Sequence, residues 1–155
     1  MIFVSILTRR LKQGKTYEDF RKAWYHTVGY GTGTPGKLYT AINAFDPQEI
    51  IVIGIAEIKS EQDAMKMLRI EVRERLDRPL EAVIEPEMGR TFGIVVSEDD
   101  FSPSGKIEYK PASINGKETD FEEIVQGLAL AKKVISMASQ ERDEAKKRKD
   151  ESKKD

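Results

Sequence analysis

The sequence predicts an α+β fold, in which one antiparallel sheet is covered on one face by two helices. Its first hundred residues alternate apolar β-rich runs with amphipathic helical runs, in the order strand, helix, strand, strand, helix, strand. The turn sequence Asp46-Pro47-Gln48-Glu49 joins the two middle strands into a hairpin. The predicted helices follow Thr16 and Ser60, and the predicted strands are Ile2–Thr8, Lys37–Phe45, Ile50–Ile58 and Arg90–Val96.

Composition limits the classes of protein that this chain can represent. Its 155 residues suit one domain with extensions, and 26 basic against 27 acidic residues favour neither nucleic acid nor an anionic membrane as a partner. The sequence has no cysteine, so it offers no disulfide, thiolate metal site or thiol nucleophile. One histidine and scattered carboxylates show no metal-ligand spacing, so neither a metal nor a cofactor is predicted.

Targeting signals are not recognisable in the sequence. The N-terminal run Ile2–Leu7 is too short for the apolar part of a signal peptide, and Arg9 and Arg10 follow it rather than precede it. No apolar stretch approaches the roughly 20 residues of a membrane span. A cytoplasmic protein is therefore expected.

Both predicted helices have a start signal and an apolar stripe. Thr16 and Asp19 form a variant capping box before the first helix, and Ser60 opens the second. Pro79 ends or interrupts the second helix, and Leu80–Ile84 is then either a last helical turn or a short extended segment. The stripes expected to pack on the sheet are Tyr17, Phe20, Trp24 and Val28 in the first helix, and Ala64, Met67, Leu68, Val72 and Leu76 in the second.

The chain divides into four predicted parts. Residues 1–101 form the α+β domain, and residues 102–118 form a linker with a short strand candidate at Ile107–Tyr109 and a turn at Asn115-Gly116. Residues 119–140 form an amphipathic helix. Residues 141–155 are almost wholly charged and are expected to be a fraying helical or disordered tail.

The C-terminal helix is predicted to open with a capping box of Thr119 and Glu122. One face of this helix is apolar and needs a partner surface. That face consists of Phe121, Ile124, Val125, Leu128, Ala131 and Ile135.

The strands are apolar on both sides, although two helices can cover only one face of the sheet. In the first strand Val4 and Ile6 point to one side and Phe3 and Leu7 to the other, and the third strand is apolar almost throughout. The second face needs a cover, and the same sheet of a symmetry mate is the simplest one. We therefore predict a homodimer or a higher oligomer. In this respect residues 1–101 resemble the dimeric α+β barrel superfamily, in which two ferredoxin-like sheets pack face to face.

A more local resemblance lies in the first helix. The segment Phe20-Arg21-Lys22-Ala23-Trp24-Tyr25-His26 is similar to the pattern of EthD-like and antibiotic-biosynthesis-monooxygenase-like members of that superfamily, which have a Phe, a Trp one turn later and then a His. The resemblance implies a cofactor-independent monooxygenase-like enzyme that holds an enolisable aromatic substrate. Those members place the His three or four residues beyond the Trp, whereas here the spacing is two.

This spacing leaves two interpretations of His26. As a general base or a haem ligand it would need a concave, partly dry site. At 100° per residue, however, His26 points more than 100° away from the stripe of Phe20 and Trp24, so an outward-facing histidine is the alternative.

Strand alternation adds candidate site residues on the sheet. If Leu38, Thr40 and Ile42 face the helices, Tyr39 and Asn43 face the opposite side, and Ser5, Leu7 and Arg9 are expected to join them there. Such a mixture of polar groups among apolar ones is typical of a small-molecule pocket. In the alternative, Tyr39 and Asn43 satisfy each other or the partner chain, and Trp24 is a core residue. The predicted catalytic residues are His26, Tyr39 and Asn43, and the predicted substrate-binding residues are Trp24, Ser5, Arg9 and Tyr30.

The run Gly29-Tyr30-Gly31-Thr32-Gly33 is rich in glycine but does not fit a nucleotide site. Phosphate-binding loops lead from a strand into a helix N-terminus, where free amides point at the anion, whereas this run leaves a helix and enters a strand. We expect a mobile lip instead, in which Tyr30 and Thr32 close over a cleft between helix and sheet.

Three classes of function remain open from the sequence. They are a monooxygenase-like enzyme acting on a small hydrophobic or aromatic molecule, a non-catalytic ligand-binding or regulatory module, and an assembly module that oligomerises through the C-terminal helix. RNA binding on the sheet is disfavoured, because Ile50–Ile55 lacks the stacking aromatics and basic residues that this mode needs. A fold does not choose among the other classes, and catalysis itself stays open.

Overall fold

A computed structural model describes residues 1–25 and 27–152 of the chain. Its elements in chain order are β1 (Ile2–Leu11), α1 (Tyr17–Trp24), β2 (Gly36–Asn43), β3 (Asp46–Glu57), α2 (Glu61–Asp77), β4 (Ile84–Ile94), β5 (Ser113–Ile114), β6 (Lys117–Glu118) and α3 (Phe121–Glu151). Within the described residues, four strands form one antiparallel sheet in the order β2-β3-β1-β4, and β5 pairs with β6. This order, with α1 and α2 as connections, is the ferredoxin-like arrangement and confirms the predicted α+β fold.

The register of the strands divides the side chains of the sheet into two faces, because paired residues share a face. Leu7 pairs with Val52, which pairs on its other side with Thr40. Val52 and Ile50 are buried among residues of α1, so they mark the helix-covered face. The alternate residues form what we call the open face: Val4, Ile6, Tyr39, Ala41, Ile51, Ile53 and Ile55.

The core on the helix-covered face has two parts. The first fixes α1 to the sheet and contains Phe20, Trp24, Ile50 and Val52, together with Leu11 of β1. The second lies at the other end of the sheet and joins the start of α2 and the middle of α3 to it. This part consists of Phe3, Ile58, Ala64 and Ala131.

α1 begins at the predicted cap but ends earlier than predicted. The Thr16 hydroxyl accepts the Asp19 N–H at 3.2 Å, and the Asp19 carboxylate accepts the Thr16 N–H at 2.8 Å, which confirms the capping box. The helix ends at Trp24, because Tyr25 leaves the helical region with a ψ of 128°. The prediction that Val28 extends the helical stripe is therefore wrong, and this side chain is exposed.

The hairpin between β2 and β3 turns at Ala44 and Phe45 rather than at the predicted sequence Asp46-Pro47-Gln48-Glu49, which is the start of β3. The Asn43 side chain closes this turn, since its Oδ1 accepts the Phe45 N–H at 2.9 Å. Pro47 lies at the register shift of the hairpin and has no cross-strand partner among the described residues, so its missing N–H costs no ladder bond.

The segment after α2, which the sequence leaves open, is a tight turn. The N–H groups of Val83 and Ile84 both donate to the Leu80 carbonyl, at 2.8 and 3.0 Å. All three side chains are buried in the first part of the core. The predicted stripe of α2 is the sheltered side of that helix, with Ala64 buried and Met67, Leu68, Val72 and Leu76 half-buried.

The linker contains a hairpin, but not where a strand is predicted. Ile107–Tyr109 is not a strand, and the Tyr109 ring is exposed. Instead, β5 and β6 pair around Asn115 and Gly116, whose φ angles of 53° and 76° are left-handed. The predicted turn is confirmed. It lets two short strands pair with each other, whereas Ile107–Tyr109 has no strand to pair with among the described residues.

α3 begins one residue later than predicted. Asp120 is the N-cap, because its carboxylate accepts the Glu122 N–H at 2.8 Å. Thr119 does not cap the helix, since its hydroxyl donates to the Val96 carbonyl at 2.6 Å. The capping box of Thr119 and Glu122 is therefore wrong, although the helix itself is present.

The charged C-terminal segment is helical. α3 continues without a break to Glu151, so of the two states predicted for residues 141–155 the helical one extends at least that far. Extending an existing helix needs no new nucleus, and Lys, Arg and Glu are good helix formers. The Lys149 ammonium also donates to the Leu76 carbonyl of α2 at 2.6 Å. This contact joins the charged segment to α2 although the segment has no large apolar side chain.

α3 docks through small residues and through only part of the predicted apolar face, since Ala131 of that face is buried and Ile124 and Ile135 are half-buried. Gly127, Ala131 and Ala138 are its buried residues. A Cβ on Gly127 would overlap the Met1 side chain, so glycine allows the helix to approach the start of β1 closely. Part of the predicted face is exposed instead, namely Phe121, Val125 and Leu128.

Candidate ligand-binding cleft

A cleft opens beside α1, on the helix-covered side of the sheet. It has a volume of about 550 Å³ and lies between α1, the loop at residues 27–30 and the edge strand β2. This volume is within the range of roughly 300–1,000 Å³ that small-molecule sites occupy. Its aromatic lining consists of Tyr17, Phe20, Trp24, Tyr25 and Tyr30, and β2 contributes Lys37, Leu38 and Thr40.

The α1 wall of the cleft is a stack of aromatic rings. Phe20 and Trp24 are one helical turn apart, with ring centroids at 5.6 Å and ring planes at 14°. The Tyr17 ring follows at 6.5 Å from Phe20. Phe20 and Trp24 are also core residues, so the wall is packed from behind. Trp24 is therefore a core residue that also lines a ligand-sized cleft, and its role in substrate binding stays a prediction.

Arg75 of α2 holds the end of this wall in place. Its two terminal nitrogens donate to the Ala23 and Trp24 carbonyls at 3.1 and 3.0 Å, and its guanidinium carbon lies 4.5 Å from the centre of the Trp24 ring. The last carbonyls of a helix carry partial negative charge and lack helical donors, so a cation at this position stabilises them. The Arg75 Nε lies 3.4 Å from a Glu71 oxygen, within ion-pair distance but outside hydrogen-bond geometry.

Glu74, the residue before Arg75, fixes the loop that closes the cleft. Its carboxylate accepts the Thr27 hydroxyl at 2.9 Å and the Thr27 N–H at 3.4 Å, and it pairs with Arg78. Desolvation raises the pKa of Glu74, but the hydrogen bonds from Thr27 and Arg78 outweigh it and leave the pKa below its ordinary value. Glu74 is thus an ionised anchor at neutral pH.

Tyr30 provides a hydroxyl at the inner end of the cleft. The phenol donates to Glu71 Oε2 at 3.4 Å. Burial, and then the charge of Glu71, raise the pKa of Tyr30 well above its ordinary value. The phenol therefore stays protonated at neutral pH, and it is a hydrogen-bond donor rather than a base.

The glycine-rich run lies beside the cleft and is attached to the sheet. The Thr34 hydroxyl donates to the Glu57 carbonyl at 2.8 Å, and Lys66 donates to the Gly31 carbonyl. Gly31 and Gly33 have φ angles of 62° and 71°, which glycine adopts without strain. Tyr30 thus lines the cleft between helix and sheet, while Thr32 lines a smaller neighbouring cavity of about 230 Å³.

The charged groups of the cleft are cations. Arg21 and Lys37 both border it, but Lys37 pairs with Ile55, so its side chain belongs to the open face and Arg21 is the cation on the cleft side; no carboxylate is among the described lining residues. The Arg21 guanidinium carbon lies 5.8 Å from the centre of the Tyr25 ring. The cleft thus combines aromatic surfaces with positive charge, which suits an aromatic molecule with an anionic group.

The structure brings together only part of the predicted site. Trp24 and Tyr30 line the cleft, whereas Tyr39 lies on the open face and is exposed. Asn43 closes the hairpin turn and donates to Glu49, so its amide is engaged in local structure. The predicted role of His26 stays a prediction, because this residue lies outside those that the structure describes.

The remaining predicted residues are on the wrong face for the predicted grouping. Ser5 pairs with Gly54, and Gly54 pairs with Leu38, so Ser5 and Arg9 share the helix-covered face. The prediction that they join Tyr39 and Asn43 on the opposite face is therefore wrong. The alternation within each strand is correct, but the sequence does not reveal how the alternation of β1 is aligned with that of β2.

Sequence reasoning missed the residues of α2 that organise the cleft. Glu71, Glu74, Arg75 and Arg78 follow one another at spacings of three, one and three, so they share one side of the helix. A charged stripe with helical periodicity is usually a solvated surface. Here it contacts α1 and its loop, and only the i,i+4 spacing of each acidic residue from an arginine indicates ion pairs.

Two further classes of site are absent from the described residues. In the ranges 1–25 and 27–152, no group of three or more His, Asp or Glu side chains is placed to hold a metal ion. None of the helices described is both long and apolar enough to cross a membrane.

Fold and cleft together define a ferredoxin-like α+β protein with a ligand-sized aromatic cavity. The chain is similar to a solved structure described provisionally as an antibiotic biosynthesis monooxygenase from Chloroflexus aurantiacus J-10-fl, with a TM-score of 0.43 and 14% sequence identity over 66% of this chain and 100% of that one. No protein-family model matches the sequence, and no curated protein matches it.

Proposed function

We propose that the protein binds a small aromatic molecule with a negatively charged group in the cleft beside α1. The observation that supports this most directly is the composition of the lining, in which five aromatic residues are combined with the cation Arg21. Flat rings fit against the stack of Phe20 and Trp24, and Arg21 can neutralise a carboxylate of the ligand. The Tyr30 phenol donates its hydrogen to Glu71, and its oxygen can accept a hydrogen bond from a ligand hydroxyl.

The only tryptophan of the chain allows a direct test, because Trp24 lines the cleft. We expect 1-hydroxy-2-naphthoate, an aromatic acid with an enolisable ring, to change the fluorescence of the protein saturably at one site per chain. 2-Hydroxymethylnaphthalene, a neutral analogue, should bind more weakly because it does not engage Arg21. Absence of a saturable change with 1-hydroxy-2-naphthoate would contradict the proposal.

Two substitutions on β2 form a matched pair for this test. Leu38 and Ile42 lie on the same face of the strand and are equally exposed, but only Leu38 lines the cleft. Leu38→Glu should weaken binding of the naphthoate by at least about tenfold, roughly 1.4 kcal/mol, because it adds a negative charge to the cleft. Ile42→Glu should leave the affinity unchanged. Equal losses in both variants would show that the probe binds elsewhere.

The finer proposal is that the protein oxidises such a ligand as a monooxygenase does. The reason to test it is the description of the similar solved structure. Oxygen uptake by protein and 1-hydroxy-2-naphthoate, above that of the compound alone, would indicate an enzyme. In that case Tyr30→Phe should reduce uptake more than it reduces binding. Saturable binding without oxygen uptake would favour the non-catalytic ligand-binding module.

We also propose that the protein associates with itself through the open face of the sheet. This face presents a continuous apolar surface around Ile6, Ile53 and Tyr39, which are cross-strand neighbours in β1, β3 and β2. Contiguous apolar surfaces of this kind typically mark interfaces. A second copy offers a sheet of the same composition and twist, so the two faces are complementary.

A further inference from the structure

α3 has a second apolar surface that the rest of the fold leaves exposed. Phe121, Val125 and Leu128 are 77%, 49% and 43% exposed. They are spaced at i, i+4 and i+7, so together with Lys132, one turn further on, they lie within about 60° of one another around the helix. We call these four residues the outer stripe. A row of large apolar side chains in contact with water is typical of an interaction site.

The outer stripe is separate from the surface by which α3 docks. Gly127, Ala131 and Ala138, the buried residues of the helix, lie about 110° away from it around the helix axis. Ala131 belongs to the second part of the core, together with Phe3 of the sheet and Ala64 of α2. The docked side of α3 is therefore occupied by its own chain, whereas the outer stripe is accessible to another molecule.

The two ends of the outer stripe carry opposite charges. Glu122 lies in the first turn of α3 and Lys132 at the other end of the stripe, and both are exposed. Within the ranges 1–25 and 27–152, neither of them forms a salt bridge, whereas the next residues along the helix, Glu123 and Lys133, are paired with other parts of the chain. The charges beside the stripe are thus the ones that remain for an incoming molecule.

A second copy of α3 in antiparallel orientation complements the outer stripe in both apolar contact and charge. If Val125 lies opposite Leu128 of the second copy, two-fold symmetry repeats the same contact in the other direction. In this register Lys132 of the second copy lies opposite Phe121 and within one turn of Glu122. Its aliphatic stem can cover the Phe121 ring while its ammonium group reaches the carboxylate. A parallel copy in register would instead bring like charges together at both ends.

We propose that α3 pairs with α3 of a second copy, in antiparallel orientation, through the outer stripe. This interface does not include the open face of the sheet and does not depend on the association proposed there. Each chain contributes only three large apolar side chains, whereas specific, stable interfaces bury about 1,200–2,000 Å², so the contact is weak by itself. Where both interfaces form, each chain contacts two other copies, and the assembly is larger than a dimer.

Sedimentation equilibrium of the full chain, from micromolar to millimolar concentration, tests this interface. Ile53→Lys is the suitable background, because it blocks the open face. We expect this variant to be a monomer at micromolar concentration and to dimerise towards millimolar concentration. Adding Val125→Glu should weaken that dimer at least about tenfold, since it places an unpaired charge between apolar side chains. Adding Gln126→Glu is the matched control and should leave the dimer unchanged, because this exposed residue lies about 100° from Val125 around the helix.

The same comparison in the natural chain keeps the test informative if Ile53→Lys does not fold. The mass of the natural chain should rise above its micromolar value towards millimolar concentration, and Val125→Glu alone should abolish that rise. Absence of any concentration-dependent rise in mass, or equal losses from Val125→Glu and Gln126→Glu, would overturn the proposal. Association at micromolar concentration tests the open face instead, so the two interfaces can fail independently.

Reversal of the charges distinguishes an antiparallel second copy from any other orientation. Lys132→Glu should weaken the α3 dimer at least about threefold, because it opposes Glu122 of the second copy with a like charge and two-fold symmetry applies the change twice. Adding Glu122→Lys should restore the affinity, because the reversed charges attract again. Both residues are exposed, so the fold should tolerate either change. Unchanged affinity in Lys132→Glu, or no recovery in the double variant, would contradict the antiparallel pairing.

Discussion

The two faces of the sheet have nearly the same apolar composition but very different surroundings. On the helix-covered face, Ile50 and Val52 are 0% and 1% exposed, because α1 and the segment after α2 pack against them. On the open face, Ile6 and Tyr39 are 36% and 51% exposed. Both pair with Ile53, which lies in β3 only one residue from the buried Val52. The sequence of an apolar strand thus predicts that both faces of the sheet are buried. It does not predict which element or which chain covers each face.

This difference indicates where the chain obtains its stability. Burial of a large apolar side chain contributes about 1.5–3 kcal/mol, so each covered isoleucine is worth far more than its counterpart on the open face of an isolated chain. The open face can recover that energy only through a further layer. The loss in unfolding free energy caused by a substitution should therefore depend on protein concentration on the open face but not on the helix-covered face.

The largest expected effect compares two isoleucines of β3. Ile50→Ala should lower the free energy of unfolding by about 2–5 kcal/mol at any protein concentration, because it leaves a cavity in the core. Ile53→Ala should cost less in dilute solution and more at concentrations where the chain associates. Urea unfolding at two concentrations measures both. If Ile53→Ala is as costly as Ile50→Ala in dilute solution, the open face is covered within one chain.

A second prediction addresses self-association directly. Light scattering should show a dimer of the full chain at micromolar concentration, and Ile53→Lys should weaken it by at least about 100-fold, roughly 2.8 kcal/mol. A lysine at this point would place a charge between two apolar faces. Gln140→Lys on the exposed side of α3 is the control and should remain dimeric. A folded, monomeric natural chain would contradict the proposed interface.

The third prediction concerns α3, which belongs to the covered face. Gly127→Leu should cost about 1–3 kcal/mol through overpacking against Met1, although leucine favours helices. In the natural chain, limited proteolysis should act first beyond Gln140 and spare Lys132 and Lys133. The variant should lose this protection. Rapid cutting at Lys132 in the natural chain would mean that α3 is not docked.

The smallest effect is expected at the start of α1. Thr16→Ala should cost about 1 kcal/mol at pH 7, because it removes the cap. The hydrogen bonds from Thr16 lower the pKa of Asp19 in the folded chain, so their contribution is complete above the unfolded pKa of about 3.9 and is lost as the pH falls through the folded value. The stability difference between the two proteins should therefore narrow below about pH 4. If the stability difference between the natural chain and Thr16→Ala stays constant down to pH 2, the Asp19 carboxylate does not contribute to the cap.

The sequence predicts local structure well where one residue type determines the geometry. The caps at Thr16 and Ser60 and the turn at Asn115-Gly116 are all present. The same holds for the order of strands and helices, because periodicity alone distinguishes them. These features depend on neighbours within a few residues, and the printed sequence contains all of those neighbours.

Features that depend on distant partners are less accessible from the sequence. The hairpin turn lies two residues earlier than predicted, and the alignment between β1 and β2 passes through β3, so Ser5 and Arg9 were assigned to the wrong face. Besides the predicted Ala131, α3 docks through Gly127 and Ala138, which give little hydrophobic signal because they are small. Of the predicted site residues, Trp24 and Tyr30 are recognisable aromatics that line the cleft, and their role in substrate binding stays a prediction, whereas Arg75 acts only through its distance to α1.

The brevity of α1 has a consequence for how the cleft moves. Eight residues form only about two helical turns, roughly 12 Å, and so short a helix is not stable by itself in water. The cleft wall therefore persists only while Arg75 and the core hold it, and it should detach as one unit before the sheet opens. Amide hydrogen exchange should accordingly be faster for Phe20–Trp24 than for Ile50–Val52, and a bound aromatic ligand should slow the former selectively.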